Sequence, residues 1–97
     1  MKREIFNDYL DRVMNLFDLS VDELAKKTKA RYISDARQVL WYLCRKRNLT
    51  LREIVRYMDE LNFKTTHTSV IHGVNAIENR MLADKDYKDL VKSISDE

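Results

Sequence analysis

Ninety-seven residues and a mass of 11.6 kDa leave room for one domain, which buries roughly 60–65% of the surface its unfolded chain exposes. That excludes a TIM barrel and a nucleotide-binding α/β domain with a separate partner domain. The composition is 44% hydrophobic and 35% charged, which reads as globular rather than disordered. There is a single glycine, Gly73, and no proline. Sheets lean on both residues for tight turns, so the composition predicts an all-α fold. No apolar run approaches the ~18 residues of a membrane span. The opening residues, Met1 to Asp8, carry acids and lack the apolar core of a secretory signal. Cys44 is the sole cysteine and lies in an apolar helical pattern, so it reads as a small buried hydrophobe, not a reactive thiol. Cytoplasm is the compartment expected by elimination.

A net charge of +2 conceals a partition along the chain. Residues 1–25 hold three basic and six acidic side chains, residues 26–56 ten basic and two acidic, and residues 57–97 five basic and eight acidic. The central +8 between two −3 flanks marks an anion-binding segment, with DNA or RNA as the obvious anion. Charge alone leaves open a merely solvated basic face, or one neutralised by remote acids.

Ile5, Phe6, Tyr9, Leu10, Val13, Met14 and Phe17 recur at helical spacing and predict a first helix over 3–17. Ser20 with Glu23 forms a capping box that opens a short helix over 21–26. Apolar periodicity then lapses and resumes with Ile33, Ala36, Val39, Leu40, Leu43 and Cys44, a long helix over 33–47 widened by Trp41 and Tyr42. Thr50 with Glu53 is a second capping box and predicts a helix over 51–60, followed by a loop through Leu61 to Thr65. Thr66 caps the next helix, 67–82, with a buried stripe of Val70, Val74, Ile77 and Met81. Asp84 caps the last, 85–95, marked by Tyr87, Leu90, Val91 and Ile94. The expected fold is a small bundle of five to six helices.

The helix over 67–82 is the most informative. At about 100° per residue, Thr68, Ser69, His72, Asn75, Ala76 and Asn79 fall opposite the apolar stripe. A solvated face is usually rich in Lys, Glu and Arg, whereas this one is small, polar and almost uncharged. Short donors and acceptors suit a face that enters the major groove, and threonine also offers a methyl to thymine. Preceded by the capped 51–60 helix, it forms a helix-turn-helix with the second helix as reader.

Three ordered motifs resemble the C-terminal DNA-binding domain of DnaA, the bacterial chromosomal replication initiator. The first runs through Ser20 to Leu24, Lys27 to Arg31 and Ala36 to Leu43, where that family has a basic loop and an aRQ…YL helix. The second, Leu49 to Ile54, is similar to its S-L-x-E-I helix start. The third, His67-Thr68-Ser69-Val70-Ile71-His72, is similar to its H-T-T-V-x-H signature, with Ile77 in register with a later isoleucine. The likeness covers residues 5–94. The sequence departs from the family just before the histidine, where Phe63-Lys64-Thr65-Thr66 replaces Gly-Gly-Arg-Asp. Four extra residues separate Ile54 from His67, and Val55 stands where the family has glycine. The lost acid is an acceptor suited to a cytosine amino group. The resemblance thus implies DNA binding and leaves open whether the initiator's own box is the target. No Walker motif occurs in the 97 residues, so a stand-alone reader without ATPase function is expected.

The residues expected to meet DNA are Lys27, Lys29, Arg31, Arg37, Arg45, Thr50, His67, Thr68, Ser69 and His72. The resemblance gives Lys29 and Arg31 the minor groove or neighbouring phosphates. Arg37 and Arg45, eight apart on one helix and about 80° offset, are expected on the phosphate backbone. His67 begins the reader helix, where free N–H groups favour an anion. Thr68 and Ser69 are the base readers, and His72 faces phosphate or packs as support. His67 and His72 are five apart with no evident third ligand, so no metal is expected, and no cofactor. No nucleophile, histidine and buried acid form a catalytic set, so no enzyme is expected. The expected partner is double-stranded DNA, with replication or transcription proteins as further candidates, a monomer slightly favoured and no membrane role expected. The expected biological role is a transcriptional regulator or replication accessory factor. The alternative is a protein-interaction module that has lost specific DNA reading.

Overall fold

The computed structural model describes residues 1–28 and 30–95. Lys29, expected at the minor groove, lies outside the described residues. Six helices follow in order: α1 (Lys2–Phe17), α2 (Val21–Leu24), α3 (Arg31–Lys46), α4 (Leu51–Glu60), α5 (His67–Ala83) and α6 (Lys85–Ile94). Helix α3 begins two residues before its predicted start because Arg31 and Tyr32 join it ahead of the apolar series. Helix α2 stops at Leu24, two residues short of its expected end.

The capping residues act where the sequence places them. Ser20 and Thr50 each accept the N–H of the glutamate three residues on, and each glutamate accepts the cap's own N–H. Those bonds from the Ser20 and Thr50 backbones hold the Glu23 and Glu53 carboxyls below the usual carboxylate range. Asp84 accepts the Tyr87 N–H at 3.2 Å.

Helix ends are built without glycine. Asp18, Asn48 and Asn62 adopt left-handed conformations with φ of 55°, 67° and 69°. After each, an apolar residue sends its N–H back across the last turn: Leu19 to the Met14 carbonyl, Leu49 to Cys44 and Phe63 to Met58, all at 3.0 Å. These are Schellman closures, with Asn or Asp in the place glycine usually takes. Leu49 and Phe63 are thereby buried in the core.

That core runs from Phe6, Tyr9 and Val13 of α1 through Val39, Leu40, Leu43 and Cys44 of α3 to Ile54, Met58, Val70 and Ile77. Burial pushes the Cys44 thiol well up, as a packed, inert sulfur requires. On α5 the buried set is Val70, Gly73, Ile77 and Met81. Gly73 takes the inward place expected of Val74, which is only half-buried. A Cβ on Gly73 would lie 2.8 Å from Trp41 Cε3 and 3.0 Å from Gln38 Cγ, so glycine is what lets α5 cross α3 so closely. Polar ties fix the remaining elements. Arg3 of α1 grips Glu60 of α4, Arg80 of α5 pairs with Asp35 of α3 at 3.0 Å, and Arg12 donates to the Ile94 carbonyl of α6 at 3.0 Å. Among the described residues no helix is long and apolar enough to cross a membrane.

Candidate nucleic-acid interface

Helix α4, the Leu61–Thr66 turn and α5 form the helix-turn-helix. Thr66 caps α5 by accepting the Ser69 N–H at 3.1 Å, and its oxygen lies 3.1 Å from the Ser69 hydroxyl. No acid occupies the first turn of α5, nor that of α3, whereas the other four helices each carry one there. The positive ends of α3 and α5 are therefore left without a local counter-charge. His67, Thr68, Ser69, His72, Asn75, Ala76 and Asn79 are all exposed. The face facing away from the core is thus uncharged over three turns, flanked only at its edges by Glu78 and Arg80.

Cations border that face on three sides. Beside His67, a hollow is lined by Arg52, Arg56 and Lys64, with Asp59 paired to Lys64 at 3.0 Å. Next to Ser69 and His72, a groove reaches to Lys27 and Arg37. Along the far edge, Arg45 and Lys46 of α3 stand next to Ile71 and Asn75. Lys27 and Arg37, residues 45–56 and residues 64–67 converge here. Arg52, Arg56 and Lys64 were not among the expected contacts. The signal for Arg52 and Arg56 was the 26–56 charge excess, whereas Lys64 lies outside it, and only the α4–α5 packing shows that these cations border α5.

Arg37 differs from its expected place on the phosphate backbone. It is only 6% exposed. Its guanidinium donates to the carbonyls of Leu24 at 2.8 Å, Lys26 at 3.1 Å and Thr28 at 3.5 Å, and it lies 4.3 Å from the Phe63 ring centroid. The chain leaving α2 turns back over α3 there, presenting carbonyls that need donors, and a planar five-donor fork meets several of them at once. Burial lowers its pKa without making it neutral at physiological pH. Lys27 closes the same clasp: its ammonium lies 5.3 Å from the Phe63 centroid and donates to the Lys64 carbonyl at 3.2 Å. The basic loop is thus tied to the helix-turn-helix through Phe63, which also packs on Trp41 with centroids 6.4 Å apart.

The other expected contacts stay at the surface. Arg45 is exposed while donating to the Leu49 carbonyl at 2.8 Å, which holds it beside the start of α4. Arg31 is exposed at the start of α3. Thr50 is exposed, with its hydroxyl engaged in the α4 cap. Among the described residues no group of three His, Cys, Asp or Glu side chains is placed to hold a metal ion.

A two-helix motif whose second helix presents short polar side chains inside a frame of cations defines a helix-turn-helix DNA-binding domain. Comparison with known proteins agrees. The profile described as bacterial DnaA protein helix-turn-helix matches residues 7–77, and the chain belongs to that family. It is 26% identical over 96 residues to the chromosomal replication initiator protein DnaA of Flavobacterium psychrophilum, covering 98% of this chain and 20% of the relative. It is 31% identical over 80 residues to the DnaA of Aquifex aeolicus, covering 81% of this chain and 19% of the relative. The chain spans about a fifth of the length of the curated relatives it matches.

Proposed function

We propose that this chain reads a specific double-stranded DNA sequence and serves as a transcriptional regulator or a replication accessory factor. The observation that carries this reading is the uncharged face of α5, running from Thr68 to Asn79 within a frame of lysines and arginines. In this reading α5 enters the major groove, with Thr68 and Ser69 at base edges and His67 and His72 at the groove wall. Arg31, Arg45 and Arg52 hold phosphates, and Lys29 extends that grip along the basic loop. Arg37 acts as a positioning residue that shapes the loop from within.

Two of the four residues of the α6 stripe, Tyr87 and Val91, are buried against the chain's own core, which favours one copy per site. A second reading draws on the C-terminal end of α5 and on α6, where Leu82 is 86% exposed and Leu90 lies on the surface. Away from the cation frame, these two favour a contact with a replication or transcription protein that leaves DNA binding intact.

The test is fluorescence anisotropy on a randomised duplex pool at two salt concentrations, with sequencing of the bound fraction. A motif bound at least about 10³-fold more tightly than random DNA is expected. Steeply salt-dependent binding without enrichment would reduce the domain to a backbone gripper, and no binding at low salt would end the DNA reading.

A further inference from the structure

A recess opens where the end of α3 meets α1, α5 and α6. Its floor is Tyr9, Leu43, Met81 and Val91, all buried in the core, and half-buried Tyr42 forms a wall. Lys46, Arg47 and Lys92 stand exposed at its rim, and no carboxylate among the described residues lines it. Of this lining only Tyr42 and Lys46 also border the groove beside α5, and none of it comes from α4 or the turn. A cation in the last turn of a helix offsets the macrodipole, a role that Lys46 and Lys92 fill for α3 and α6. That accounts for one cation at each helix end. It does not account for three cations gathered from two helix ends over an apolar floor. Elsewhere Arg3, Arg12, Lys64 and Arg80 each meet an acid, whereas the Lys46 and Lys92 ammonium groups have no ion pair or hydrogen bond among the described residues.

We propose that this recess docks an acidic linear segment of a partner protein. One aliphatic or aromatic side chain of the segment sits on the floor, and carboxylates on either side of it meet Lys46, Arg47 and Lys92. The floor and the rim ask for opposite chemistry, and that fixes the occupant. An inorganic anion leaves the apolar floor uncovered, and an uncharged segment leaves the cations without partners. A duplex offers phosphates to the rim but no aliphatic or aromatic group to the floor. An acidic segment with an apolar anchor satisfies both halves: burial of the anchor supplies affinity, and the carboxylates set register and orientation. The proposal does not depend on what α5 reads.

The experiment titrates the full chain into short fluorescent peptides of aspartate and glutamate carrying a central leucine, phenylalanine or alanine, read by anisotropy at low salt. The leucine or phenylalanine peptide is expected to bind about tenfold more tightly than the alanine one, the value of burying that side chain. Arg47→Gln and Lys92→Gln should each weaken the better peptide by about two- to fivefold, as exposed charge pairs do. Arg52→Gln, on the cation frame of α5, should leave it within about twofold of wild type. Amide shifts on adding the peptide should fall at Tyr42 to Arg47 and Val91 to Ser95. The anchor is varied on the peptide, so that comparison decides even if a protein variant misfolds. The proposal is overturned if all three peptides bind alike, since charge alone then holds them. It is overturned equally if Arg52→Gln costs as much as Arg47→Gln and Lys92→Gln, which puts the peptide on the α5 frame. Loss of random-duplex binding in Arg47→Gln and Lys92→Gln to the same degree as peptide binding would assign the rim to nucleic acid instead. No saturable binding by any peptide ends the proposal, whatever the outcome on DNA.

Discussion

Arg37 and Gly73 show how single residues shape the candidate interface from beneath. Arg37 gives its donors to the carbonyls of Leu24 and Lys26, so it fixes the path of the chain leaving α2. Lysine keeps the charge but replaces the planar fork with one ammonium that cannot bond the separate carbonyls while lying flat on Phe63. Arg37→Lys should therefore cost on the order of 1–3 kcal/mol in urea denaturation, the cost of leaving buried carbonyls without donors. An outcome within experimental error of wild type would show that the carbonyls find other partners. Gly73 sets two effects against each other. Alanine gains about 1 kcal/mol of helix propensity at this position. Its Cβ, however, meets the buried Trp41 ring at 2.8 Å, and overpacking of that kind costs about 1–3 kcal/mol. Gly73→Ala is expected to be net destabilising, read as a lower urea midpoint at unchanged slope.

At the scale of elements, the scarcity of glycine is resolved at three helix ends. Asp18, Asn48 and Asn62 take the left-handed position, and an apolar residue follows each: Leu19, Leu49 and Phe63. This Asx-then-apolar pair was present in the sequence and would have marked Phe63 as a core residue, where periodicity alone saw a loop. The consequence reaches the interface, because Phe63 is the surface on which Arg37 and Lys27 rest. Asn62→Ala should cost about 1 kcal/mol, since alanine pays the left-handed penalty without asparagine's local hydrogen bonding. Asn62→Gly should match wild type within a few tenths of a kcal/mol. Thermal or urea unfolding of the pair separates a conformational origin from a lost side-chain contact.

For the whole molecule, the decisive property is where the charge excess of residues 26–56 ends up. Packing of α3, α4 and α5 brings Lys27, Arg45, Lys46, Arg52 and Arg56 of that segment around the uncharged face of α5, while Asp8, Asp11, Asp86 and Asp89 lie on α1 and α6. Binding to DNA should accordingly weaken linearly in log affinity against log salt. Arg45→Gln is expected to reduce that slope by about 0.9 and to weaken every duplex alike, specific or random. Anisotropy titrations across a salt series check it. A variant that weakens only the specific duplex would instead place Arg45 at a base edge.

The helices, their caps and the uncharged face of α5 were set by local rules that the sequence carries openly. Apolar spacing fixes which side of α1, α3 and α5 turns inward, and Ser20, Thr50, Thr66 and Asp84 each fix a start through bonds spanning three residues. Tertiary structure decided what depends on contacts between distant segments. Arg37 is buried because the chain leaving α2 lays carbonyls over α3, and Gly73 rather than Val74 faces inward because Trp41 fills the α3–α5 crossing. Arg52, Arg56 and Lys64 gather beside His67 only once α4 and α5 pack. Periodicity describes one element at a time, so it cannot tell a cation that meets solvent from one that meets the backbone of another segment.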